Sequence, residues 1–216
     1  MSEIKERPIL FSAPMVRAIL EGRKTVTRRE VKKQAALDCL AAGFEPAFLA
    51  LPGNADLCPY GKPGDRLWVR ETFAFADKSG SHDAAPDEHW RPARPGMEPE
   101  IYRCWYRASD GHTADGFWKP SIHMPRWASR ILLEISEVRV ERLQDISEEQ
   151  ALAEGIIPHV RGGWHWHPHD PSNVDDWHQF GFKSPAFAFQ DLWIGTGGDW
   201  DANPWVWVVE FKRVTP

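Results

Sequence analysis

Lys24, Thr27 and Glu154 are side-chain types that together can hydrolyse an amide or an ester. A hydroxyl such as that of Thr27 attacks a carbonyl once a base removes its proton. Lys24 is crowded by Arg23, Arg28, Arg29, Lys32 and Lys33, with Glu30 the one acid among them. Like charges at such density lower a lysine's pKa and suit it to be that base. Glu154 can then protonate the leaving amine. Glu154 stands just before Gly155, in the last turn of a short expected helix, where the helix dipole disfavours a carboxylate by about 0.3–1 kcal/mol. It therefore needs a compensating neighbour: an arginine, open solvent, or the Lys24–Thr27 site. The cationic stretch has two readings, a solvated basic strand or a surface that expects an anion.

Further cations extend the candidate surface. Arg126, Trp127 and Arg130 combine phosphate-binding and base-stacking types beside the start of a strand, or form a structural corner with Trp127 in the core. Arg70 flanks a strand close to the basic segment in chain order, with Glu71 as a simple pairing alternative. His165, His167, Asp170 and His178 are of metal-ligating type, but no metal spacing is met and no metal site is assigned. No cofactor is called for.

These residues must be positioned by short elements. Ile9–Phe11 reads as a buried strand. A helix follows, with Ser12 at its N-cap, Pro14 in its first turn and Gly22 as its stop. Residues 25–29 form a β-branched strand in which Thr25, Thr27 and Arg29 share one face and Val26 and Arg28 the other. A short helix is expected near 35–42, a turn at 61–65 and a strand at 66–72. Further strands are expected at 101–107, at 129–142 with a bend, and at 205–211. Ser147 and Gln150 make a capping box, with Ile146 as staple, and Ser184-Pro185 opens a last helix to about Trp193. Residues 77–128 and 158–184 read as two long irregular insertions. The absence of a βαβ rhythm excludes a doubly wound sheet. An α+β chain folding as one domain over 1–216, a small mixed β-barrel flanked by short helices, fits best.

Composition narrows the function classes. The 216 residues are 42% hydrophobic and 26% charged, as in globular proteins, and no apolar run reaches membrane-span length. The N-terminal residues lead into no signal-peptide core, so the cytoplasm is expected. Cys39, Cys58 and Cys104 form neither a zinc knuckle nor a disulfide framework. A net charge of -5 argues against a basic coat for duplex DNA, while leaving room for a local basic cleft. Twelve tryptophans serve either a large core or base stacking.

Gly22, Lys24 and Arg29 stand at the spacing of the GxKxxExR signature of the ASCH domains, with Thr27 where that signature often has Glu. Residues 19–29, 64–69, 146–154 and 208–212 resemble, in order, elements of small bacterial ASCH amidohydrolases acting on N4-acetylcytidine. Arg7-Pro8-Ile9-Leu10-Phe11, Cys58-Pro59-Tyr60-Gly61 and residues 124–130 resemble the longer ASCH proteins of phages and prophages. The resemblance implies a PUA-like barrel, with Lys24, Thr27 and Glu154 as catalytic residues. It implies RNA, single-stranded nucleic acid or a modified nucleoside as partner, bound by Arg23, Arg28, Arg29, Arg70, Arg126, Trp127 and Arg130. Within the family both hydrolysis (of the amide or of RNA) and non-catalytic binding are known outcomes.

Overall fold

The computed structural model describes residues 3–54, 56–77, 102–110, 118–169 and 180–215. The chain is α+β. It opens with β1 (Glu6–Leu10), α1 (Ala13–Leu20) and β2 (Val26–Glu30), then α2 (Gln34–Ala41) and the one-turn α3 (Pro46–Leu49). Strands β3 (Arg66–Arg70), β4 (Phe73–Asp77) and β5 (Tyr102–Tyr106) follow, then α4 (Arg107–Asp110) and the long β6 (Leu132–Arg142). The last elements are α5 (Glu148–Ala153), β7 (Ile157–Pro158), β8 (Trp164–His165), α6 (Pro185–Gly195) and β9 (Trp205–Val214).

The main sheet has five strands in the order β1-β3-β6-β9-β2. It is mixed: β1 runs parallel to β3, and every other pairing is antiparallel. Its central strand is β6, and in the neighbouring interior strand β9 Val206, Trp207, Val208 and Val209 are all fully buried. A strand covered on both faces loses the apolar–polar alternation of an exposed sheet. The expected ring of paired strands is not present among the described residues, since β1 and β2 remain edge strands. A side chain bridges them instead: an Arg29 terminal nitrogen donates to the Leu10 carbonyl at 2.6 Å.

The bend expected in residues 129–142 is a β-bulge. Ile135 pairs with Phe211 but Glu137 pairs with Glu210, which leaves Ser136 as an extra residue. Gly155 has φ 102°, and Ser147 and Gln150 close the capping box that starts α5. The strand expected at 101–107 is β5, which pairs with β4, and the stretch from 77 to 128 expected to be irregular also carries α4 and two one-turn helices in its described part. Phe73, Met124 and Ala128 form a second small core there. Residues 158–169 and 180–184 include the β8 strand and a Trp164–Phe182 bridge, so this second insertion is also partly regular. The rest of both insertions lies outside the described residues. Among the described residues no helix is long and apolar enough to cross a membrane.

Asp65 ties the β1 and β3 ends together. Its carboxylate accepts from the Lys5 amide at 3.1 Å, the Arg7 guanidinium at 2.8 Å and the Lys62 amide at 3.3 Å. Burial pushes this carboxyl up, but those donors outweigh it and hold it below the usual 3.8. Asp65→Ala is expected to cost on the order of 2–3 kcal/mol at neutral pH by leaving these donors unpaired. A lowered folded value contributes stability that is present above the unfolded value and lost as pH falls through the folded one. The gap between wild type and variant in urea denaturation should therefore shrink below about pH 4.

Candidate functional site

A cleft of about 610 Å³ opens at the free edge of β2. Because β2 pairs only with β9, both of its faces reach the same hollow. Thr27 and Arg29 face the side of Val209 and Trp207, while Arg28 faces the side of Val208. The remaining wall is largely aromatic, with Phe11, Tyr60, Phe189 and Trp193.

Lys24 and Glu154 meet at this cleft. Lys24 Nζ lies 2.5 Å from Glu154 Oε2 and also donates to the Glu154 backbone carbonyl at 2.9 Å. The ammonium thus caps the C-terminal end of α5 and offsets the dipole that disfavours Glu154 there. Both side chains are almost fully buried, at 2% and 3% exposure. Burial drives the Lys24 pKa below its usual 10.5, Glu154 opposes this, and Arg29 and Arg28 add to the lowering. The pair is positioned by two chain reversals: Thr25 donates its amide to the Ala153 carbonyl, and the Arg23 guanidinium donates to the Gly155 carbonyl at 2.9 Å.

Thr27 is buried and lines the same cleft. Among the described residues its hydroxyl has no hydrogen-bond partner. Arg28 is fully buried beneath Phe189, whose ring centroid is 5.8 Å from the guanidinium carbon. One of its terminal nitrogens reaches Glu154 at 3.3 Å and the other Glu141 at 3.2 Å. Arg29 is half-buried against the Phe11 ring at 5.2 Å and has no ion-pair partner among the described residues. Burial lowers its pKa, with Tyr60 and Glu154 opposing. A buried cation without a carboxylate favours an incoming anion.

No family model, no curated protein and no solved structure matches the chain.

The cleft gathers Lys24, Thr27, Arg28, Arg29 and Glu154. The other expected binding residues do not line it, and most are engaged elsewhere. Arg23 pairs with Glu21 at 2.5 Å and serves the Gly155 turn. Arg70 donates to the Ile122 carbonyl and stacks near Trp68. Arg126 pairs with Glu6 at 2.8 Å. Arg130 makes a two-pronged pair with buried Glu71 at 2.9 and 3.0 Å, over the Tyr106 ring. Trp127 is 38% exposed beside Arg126, neither in the cleft nor in the core. Charge density on the chain could not reveal these partners, because Glu71 and Glu6 lie far away in sequence.

The aromatic wall was missed as well. Tyr60 sits in a loop without periodicity, and Phe189 and Trp193 sit on a helix that is apolar nearly all round. The histidine segment does bring rings together, with His165 and His167 centroids 4.0 Å apart. Among the described residues no group of three or more His, Cys, Asp or Glu is placed to hold a metal ion. Asp170 and His178 lie outside the described residues.

Proposed function

We propose that the chain is an ASCH-type, PUA-like protein whose cleft hydrolyses an acyl group from a modified nucleoside of the N4-acetylcytidine kind, or cleaves RNA. The observation that carries this reading is the 2.5 Å contact of Lys24 Nζ with Glu154 Oε2 at a cleft that also holds Thr27. A lysine–glutamate pair can share one proton in two ways, as ammonium with carboxylate or as amine with carboxylic acid, and burial favours the neutral form.

From the neutral form the atoms balance. Lys24 takes the Thr27 proton as the hydroxyl oxygen bonds to the acyl carbon. Glu154 gives its proton to the departing amine as the C–N bond breaks, which leaves an acyl-threonine and the charged pair. Water then attacks the acyl carbon, Glu154 takes the water proton, and Lys24 returns a proton to Thr27. The aromatic wall suits a flat base, and Arg29 suits an anionic group beside it.

Incubating the protein with N4-acetylcytidine and with single-stranded RNA tests the proposal, with release of cytidine or of fragments as readout. Turnover lost in Lys24→Ala and Glu154→Ala supports it, and equal rates in both variants end it. A second reading, an RNA-binding module without catalysis, is favoured by the deep burial of Lys24 and Glu154 beside Arg29, which has no ion-pair partner among the described residues. Tight, salt-sensitive RNA binding without turnover would select it. In either case Arg29→Ala should weaken binding of a phosphate-bearing ligand about tenfold and reduce the salt slope by about one. Fluorescence titration at several salt concentrations measures both.

A further inference from the structure

The contact between Arg28 and Glu154 belongs to a longer chain of alternating charges. Lys24 meets Glu154, Glu154 meets Arg28, and Arg28 meets Glu141. Glu141 meets Arg139 at 2.6 Å, and Arg139 meets Glu210 at 2.5 Å and Glu137 at 3.5 Å. Gln150 of α5 also donates to Glu141 at 3.5 Å. The chain crosses three strands because Arg28, Val208 and Arg139 stand in register on one face.

The distances within this chain are unequal in a telling way. The Lys24–Glu154 contact is 2.5 Å, whereas Arg28 stands off at 3.3 Å from Glu154 and 3.2 Å from Glu141. A guanidinium prefers to grip a single carboxylate with two parallel bonds. Arg28 instead spreads its two terminal nitrogens over two carboxylates. Glu141, itself fixed by Arg139 and Gln150, holds Arg28 back from closing on Glu154.

We infer that Glu141 is a positioning residue for the Lys24–Glu154 pair, acting through Arg28. This rests on reading the cleft as a hydrolytic centre. Glu141 touches no substrate in that reading. It keeps the Glu154 carboxylate available to Lys24 by giving Arg28 somewhere else to point.

The decisive variant is Glu141→Gln, which keeps the shape and removes the charge. Arg28, released from Glu141, then draws Glu154 away from Lys24. This favours the uncharged amine, so the Lys24 titration followed by NMR of its side chain should move down by about one unit. Glu210→Gln, one link further out, should move it less. If substrate is turned over, kcat should fall about tenfold with KM nearly unchanged, because an interaction made in the transition state has been loosened.

Glu141→Asp keeps the charge but withdraws it by one methylene, and should shift Lys24 the same way by a smaller amount. This variant also serves if Glu141→Gln does not fold. An unmoved Lys24 titration in a folded variant overturns the inference. The titration needs no substrate, so absence of turnover in the wild type would end the hydrolytic reading while Glu141 is still tested.

Discussion

Lys24→Ala is expected to lower kcat by at least about 10³-fold and to destabilise the fold by about 3 kcal/mol at the same time. The activity loss follows if Lys24 is the base for Thr27, since a positioned base and the alignment it brings are each worth orders of magnitude. The stability loss follows from burial. Glu154 is 2% exposed, and without Lys24 its remaining ion-pair partner among the described residues is Arg28, at 3.3 Å and shared with Glu141. Removing one partner of a buried pair leaves an uncompensated charge, whereas removing both can be nearly neutral. The double change Lys24→Met with Glu154→Leu should therefore recover most of the lost stability and none of the activity. Chemical denaturation together with the acyl-release assay separates the two effects. A double variant as unstable as the single one would show that the pair was not the cause.

The pH dependence carries the same signature. Lys24 has a folded pKa below its usual 10.5. Between those two values the unfolded chain binds more protons than the folded one, so stability rises with pH there. Lys24→Met should flatten that rise. Turnover, which needs the one proton that the pair shares, should fall as pH rises through the folded value.

Gly155→Ala is expected to be the other severe change, at about 2–4 kcal/mol of stability and on the order of 10²-fold in kcat. Gly155 has φ 102°, a conformation that costs a residue with a side chain about 1–3 kcal/mol. An added Cβ would also sit 3.0 Å from the Ala18 Cβ and 3.4 Å from the Lys24 Cβ. Relief of that crowding falls on Ala18, whose carbonyl accepts from the Lys24 amide at 3.0 Å, and displacement of about 1 Å at a reacting group can cost 10²-fold. Gly22→Ala is the matched control. It has φ 75° but nothing within 4 Å of an added Cβ, so it should lose stability and keep its rate. Equal rates in both variants would argue that Lys24 does not need its present place.

Much of the scaffold was legible because local chemistry dictates it. Ser147 and Gln150 announce the start of α5 by their spacing alone, and both cap bonds are present. Lys24, Thr27 and Glu154 could be named from their types, and the unfavourable place of Glu154 on its helix pointed to a missing cation. The bent strand at 129–142 betrayed itself by length. Partnerships between distant strands were not legible. Glu141 is 113 residues from Arg28, and only the pairing of β9 with both β2 and β6 brings them together. The same holds for Arg130, whose charge suggested a ligand until Glu71 was found against it. Four-residue helices such as α3 and α4 leave no periodic trace. The order of strands, and the Arg29 bridge between β1 and β2, come from the whole chain rather than any window of it.

Ser136 decides the parity of everything that follows it on β6. Before it, Leu133 and Ile135 point inward; after it, Val138 and Val140 do, so odd-numbered side chains give way to even-numbered ones. In an unbroken strand, Arg139 and Glu141 would be turned into the apolar interior and the valines toward the charges. One surplus residue, touching nothing in the cleft, thus selects which half of the strand's alphabet the site can read.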